Sequence, residues 1–244
     1  MDNKQRTLTL RSRLFPLYTN LMQDIAAIEG SKATFCIQWG KNFPMEDNAG
    51  ILFVGRATNG WITDSQDVNV LFGNTEDRIF NRSDQMTWVE NNAGANGNSY
   101  NTNRSAFWRV IRQVTQSFYP KEHWSSYVAW SNVCKVAPFA GGNPNDSLYY
   151  AQLDTCQKIL EIEIEILSPR VVVFFTGNSW SRDFLKHLNH GQELNPVDEK
   201  SWCGYKCMVY LIDGVTYIQT EHPQGKNETS HVNCIEEIIN GILS

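Results

Sequence analysis

No apolar run in these 244 residues approaches the ~20 consecutive residues that a membrane-crossing helix requires, so no membrane partner is expected. Basic residues are scarce too: 21 Lys and Arg stand against 26 Asp and Glu, a net charge of −5. Affinity for nucleic-acid phosphates comes from clustered cations, so this balance excludes a general polyanion binder but leaves room for a local basic rim. Arg104, Arg109 and Arg112 form one such group, although a solvated helix face is the simpler account. Met1 to Arg6 are polar with no apolar core behind them, so no secretory signal is read and a cytoplasmic location is expected. The six cysteines, at 36, 134, 156, 203, 207 and 234, lack the spacing of a disulfide framework. Reduced, mostly buried thiols follow. Cys203, Cys207, His222 and Cys234 make only a loose zinc set, so neither metal nor cofactor is expected.

The chain contains four short apolar runs, rich in β-branched and aromatic residues, that read as buried strands: Ile51–Val54, Tyr127–Trp130, Val171–Phe175 and Val215–Thr220. The segments between the first three are long enough for crossover helices, which predicts a largely parallel sheet. Each run ends in polar or loop-forming residues: Gly55 to Trp61, Ser131 to Lys135, Thr176 to Asn178, and Glu221 to Pro223. Ligands of open α/β sheets bind outside the carboxyl ends of the strands, where these clusters fall. Met208–Ile212 and Val215–Thr220 flank Asp213-Gly214, a strong signal for a two-residue antiparallel hairpin.

Helices are predicted around this sheet. Leu10, Leu14, Leu17, Leu21, Ile25 and Ile28 recur at helical spacing and give an amino-terminal helix within residues 1–30, ended by Gly30. Phe107, Val110, Ile111, Val114 and Phe118 form a second stripe that stops at Pro120. A third helix, capped by Asp146, runs to Ser168-Pro169. Asn178 or Ser179 caps a shorter one, and Ile235 to Ile242 make a closing helix. Residues 73–104 form a long, Asn- and Gly-rich insertion, either a substrate-facing loop or a disordered surface segment. There is no internal repeat and no dividing linker, so residues 1–244 read as one domain.

In order, these segments resemble the uracil-DNA glycosylase superfamily, closest in pattern to its iron–sulfur branch. Ile51 to Gly55 and the following turn are similar to that family's first strand and G-x-x-P loop. Val128 to Lys135, continuing through Pro138 to Pro144, resembles its T-N-hydrophobic-hydrophobic-K strand and the loop after it. Cys156, Leu160 and Pro169-Arg170-Val171-Val172-Val173, then Gly177, resemble a further passage, and His222-Pro223 its H-P-S loop. The resemblance implies a three-layer α/β/α fold with a mostly parallel central sheet and one antiparallel hairpin near the carboxyl terminus. It implies a partner as well: a single-stranded or flipped base of nucleic acid, or a nucleobase-like small molecule.

The resemblance also assigns residues. Asn132 matches the base-reading Asn, whose amide can give a donor and an acceptor to a pyrimidine edge at once. A cap on the strand-to-loop turn is its other reading. His222 matches the histidine that hydrogen-bonds the base as charge builds on the leaving group, though it could also simply order its own loop. Gly55, Arg56, Thr58 and Lys135 complete the expected binding set, with Arg56 as an anion contact. By residue type alone, Trp61 and Phe72 are candidates to stack on a base or ring, with a place in the core as their other reading. The departures are specific. Arg56 and Ala57 stand where relatives carry the group that activates water, and an arginine stays protonated. Asn59 is the nearest candidate to orient a water; Asp64 and Asp67 lie further along. Gln224-Gly225-Lys226 holds no apolar wedge for a duplex, and the cluster cysteines of the iron–sulfur branch are missing apart from Cys156. The sequence therefore supports three functions: a divergent glycosylase, a non-catalytic nucleobase or nucleotide binder, and a hydrolase of a small anionic substrate.

Overall fold

The computed structural model describes residues 3–46, 49–59, 66–73, 78–96 and 100–243. The chain begins with helix α1 (Asn3–Asp24), followed by short strands β1 (Lys32–Thr34) and β2 (Gln38–Trp39), then β3 (Ile51–Gly55). Two short helices, α2 (Val68–Leu71) and α3 (Thr87–Asn91), precede α4 (Ala106–Phe118), β4 (Val128–Asn132) and β5 (Val136–Pro138). The second half runs α5 (Asp146–Leu167), β6 (Val171–Phe175), α6 (Asn178–Leu188), β7 (Asp198–Trp202), β8 (Tyr205–Ile212), β9 (Val215–Thr220) and α7 (Glu228–Leu243).

Seven strands form one sheet in the order β2-β4-β3-β6-β9-β8-β7. The central four, β4-β3-β6-β9, are mutually parallel, and these contain the four runs read from sequence. The margins are antiparallel: β2 on β4 at one side, β8 and β7 beyond β9 at the other. Asp213 and Gly214 join β8 to β9 with φ of 49° and 80°, the double positive φ that a tight primed turn requires. Because strand side chains alternate, Leu52, Val54, Val172 and Phe174 enter a core with α1, α5 and α6. Ile51, Phe53, Val173 and Phe175 enter a second core with α4 and α7. Helices thus cover both faces of the sheet.

Several boundaries differ from the sequence reading. Helix α1 stops at Asp24 rather than Gly30; Gly30, at φ +93°, serves the turn into β1. Tyr18, absent from the predicted helical stripe, is fully buried there and donates its hydroxyl to the Phe35 carbonyl at 2.6 Å, while Leu17 packs against the edge of the same core. Asn145, not Asp146, caps α5, its side chain accepting from the Leu148 N–H. Gly177 takes the cap position of α6, with no side-chain hydrogen bond. The 73–104 insertion contains α3 and two single 3₁₀ turns, Ile79–Asn81 and Thr102–Arg104. Glu90 ties it down by accepting the Ser125 N–H, and Thr102 braces it internally by donating to the Val89 carbonyl.

A fully buried ion pair joins the sheet to α5. Lys135 Nζ donates to Glu163 Oε2 at 2.8 Å and to Ser131 Oγ at 2.6 Å, and Ser131 donates to the same carboxylate oxygen. Burial pushes the Glu163 pKa up, while Lys135 and Ser131 pull it back down. Removing one partner of such a pair leaves a charge without compensation in the core. Lys135→Met is therefore expected to lower the unfolding free energy by about 3–5 kcal/mol in urea titrations, with most of the loss restored by adding Glu163→Leu.

Candidate functional site

Strands β3 and β4 end side by side, with Gly55 opposite Asn132. The ladder continues past them, Val133 and Cys134 donating N–H groups to the carbonyls of Gly55 and Arg56. This fixes the two loops that follow. They open into a cavity of about 960 Å³, lined in part by Gly55, Arg56, Thr58, Asn59, Asn132 and His222. Asn132 is 1% exposed, and its Nδ2 finds no hydrogen-bond partner among the described residues. A buried amide donor left unpaired costs free energy, so its placement on a cavity wall marks a point where a ligand acceptor restores the bond. Gly55 makes this possible. A Cβ there would lie 2.5 Å from Asn132 Oδ1, so any larger residue displaces the amide.

His222 follows β9. Its Nδ1 accepts the Gln224 N–H at 3.3 Å, which leaves the proton of the neutral ring on Nε2. Phe107 lies parallel to the ring, with centroids 6.1 Å apart. Desolvation, with smaller contributions from Arg56 and Lys226, pulls the His222 pKa down to about 4. The residue is thus a neutral hydrogen-bond donor at ordinary pH. Such a donor stabilises charge developing on a bound acceptor without needing to be protonated first.

Arg56 is less available than its position suggests. Its Nε donates to the Thr176 carbonyl at 2.8 Å, and its guanidinium lies 5.8 Å from the Trp180 ring centroid. Burial lowers its pKa, while Glu221 opposes that shift. Asn59 Oδ1 accepts the Gly142 N–H at 2.8 Å, so it pins the loop after β5 across the cavity mouth. That bond occupies the Asn59 oxygen expected to orient a water. Among the described lining residues there is no Asp or Glu.

Two expected residues lie elsewhere. Lys135 is enclosed in the core, where it donates to Glu163 and Ser131 and does not line the cavity. Phe72 packs edge-on against Phe15 and Tyr18 and beside Phe80, holding α1 to the insertion. Trp61 and Asp64 lie outside the described residues. Asp67 caps α2 by accepting the Asn69 N–H. Of the loose zinc set, Cys207 and Cys234 are core residues and Cys203 sits on an exposed turn. Among the described residues, no three His, Cys, Asp or Glu side chains are grouped to hold a metal.

The family model of the uracil DNA glycosylase superfamily matches residues 40–240. The chain belongs to that superfamily. No curated protein sequence matches it. Within this uracil-DNA glycosylase relative, sequence reasoning missed several lining residues: Thr34, Cys36 and Gln38 from β1–β2, Trp88 from the insertion, and Trp108 from α4. The first three precede the matched region and lie on, or on the link between, strands too short to give a periodic signal. Trp108 was hidden by the stripe beginning at Phe107. Arg104 did appear in the basic group, and it lines the cavity together with Arg109, which pairs with Glu228.

The depressed His222 pKa has a measurable consequence. Below the ordinary histidine value of about 6.5 the unfolded chain binds a proton that the folded site refuses. Stability is therefore complete above about pH 6.5 and falls as the pH drops toward the folded value of about 4. His231 acts in the same direction, with its pKa lowered to about 3 by burial. Urea titrations between these limits should show stability declining with pH, and His222→Gln should reduce the slope.

Proposed function

We propose that this superfamily member binds an extruded or single-stranded pyrimidine base in the cavity, with Asn132 reading its edge and His222 donating to a carbonyl oxygen of the base. The observation that carries the reading is the unpartnered Nδ2 of Asn132, 1% exposed on the cavity wall. Uracil-DNA glycosylase superfamily membership supports a nucleic-acid ligand. The neutral, Phe107-stacked His222 supports a donor toward an oxygen acquiring charge.

Base binding is better supported than rapid hydrolysis. Breaking an N-glycosidic bond leaves a sugar cation that a carboxylate would stabilise, or needs a water that a base would activate. Arg56 and Ala57 supply neither, and the Asn59 oxygen already accepts from Gly142. The loop after His222 carries Gln224, Gly225 and Lys226, with Lys226 donating back to the His222 carbonyl. It presents no apolar wedge to hold a duplex open. The function proposed is therefore recognition of bases in single strands, with slow excision at most and little or none from duplex DNA.

Two measurements test this. In titrations with uracil-containing single-stranded oligonucleotides, Asn132→Ala should weaken binding by about 1–3 kcal/mol, because it leaves base polar groups unpaired in a dry site. Asn132→Asp should change base preference, since a carboxylate cannot donate; unchanged affinity in both variants removes Asn132 as the reader. A gel assay comparing uracil in duplex and single-stranded DNA should show little or no cleavable product from the duplex. Robust duplex excision would mean that a catalytic carboxylate reaches the site.

A further inference from the structure

The cavity has a second polar wall, outside the matched region of the family. Gln38 is fully buried and lines the cavity. Its Oε1 accepts the Trp88 Nε1–H at 2.7 Å. An indole N–H can only donate, so the amide orientation is decided: oxygen toward Trp88, Nε2 away from it. That Nε2 has no hydrogen-bond partner among the described residues. Thr34, 1% exposed and also on the cavity wall, likewise has an unpartnered Oγ1. Two buried polar groups from the β1–β2 segment therefore repeat the condition found at Asn132.

Their position follows from the sheet. Gln38 pairs with Trp130 on β4, and Trp130 stands two residues before Asn132 on the same face. The two polar walls are thus separated by roughly 6–7 Å along the strand, with one further strand spacing sideways. The amide at Asn132 spans one edge of a single ring. A plain pyrimidine held there leaves the Gln38 donor unpaired, and a cavity of about 960 Å³ has room for more than that ring.

We propose that Gln38 and Thr34 form a second subsite, which takes a hydrogen-bond acceptor on the part of the base remote from Asn132. The preferred ligand is a base longer than uracil: a pyrimidine with an acceptor-bearing substituent, or a purine whose second ring supplies the acceptor. The proposal deepens the base-binding reading and rests on it. Gln38 specifies an acceptor rather than mere bulk, because its oxygen is committed to Trp88.

The test compares four short single-stranded oligonucleotides, each with one central base: uracil, a formyl-substituted uracil, a vinyl-substituted uracil of matching size, or hypoxanthine. The protein is expected to bind the formyl base about tenfold more tightly than the vinyl base, since only the former pairs the buried donor. A comparable gain for hypoxanthine over uracil identifies the purine as the source of the acceptor; a gain confined to the formyl base identifies the substituent. Gln38→Met should collapse the formyl-to-vinyl ratio toward one, and Thr34→Val should reduce it in a protein whose Gln38–Trp88 bond is retained. Equal affinity for formyl and vinyl bases in the unaltered protein overturns the subsite, as does a ratio that survives both substitutions. If uracil binding is lost in Asn132→Ala while the formyl preference is absent, the subsite alone fails. If none of the four oligonucleotides binds, the base-binding reading fails with it.

Discussion

The side-chain oxygen of Asn132 fills the space that a Cβ at position 55 would occupy, 2.5 Å away. That contact is available only because β3 and β4 run parallel in a register that sets Gly55 opposite Asn132. The register is held on both sides of the site, by hydrophobic strand residues below and by the Val133 and Cys134 N–H bonds above. A one-residue slip would turn Asn132 to the opposite face and bring Ser131, the partner of Lys135 and Glu163, toward the cavity. Alternation along β4 thus assigns one residue to a ligand and its neighbour to the core.

The two faces of β4 handle polarity differently. Toward α5, the polar groups satisfy one another: Lys135, Glu163 and Ser131 form a closed triangle, with only Glu163 Oε1 lacking a partner among the described residues. Toward the cavity, Asn132, Gln38 and Thr34 each leave a buried polar atom without one. Buried groups of the first kind contribute to holding elements together, while those of the second are costly until something else pairs them. The concentration of the second kind around one cavity carries the functional reading. The aromatic lining, with Phe107 on His222 and Trp88 on Gln38, sets apolar ring surface beside these polar groups.

The central strands were legible in the sequence because each is buried on both faces and so appears as an unbroken apolar run, as Val171–Phe175 does. The β8–β9 hairpin was legible because positive φ at two adjacent positions restricts the residues to pairs such as Asp213-Gly214. Helix ends were read less well. Asn145 and Asp146 are both competent caps, and only the local backbone selects between them. Lys135 and Phe72 were assigned to the site by motif order and aromatic type. Neither property records which way a side chain points after the chain turns.

Sequence by itself determined the parallel centre of the sheet, the polar turns at its carboxyl edge and the presence of Asn132 and His222 on those turns. Local patterning is sufficient for this, since apolar runs and turn residues act over a few neighbouring positions. Tertiary structure alone decided that β2, only two residues long, pairs with β4 and brings Gln38 beside Trp130. It also decided that the insertion delivers Trp88 to fix the Gln38 amide, and that Gln224 sets the His222 tautomer. These outcomes depend on contacts between segments far apart in the chain, or on the orientation of individual polar atoms. Neither leaves a periodic trace in the order of residues.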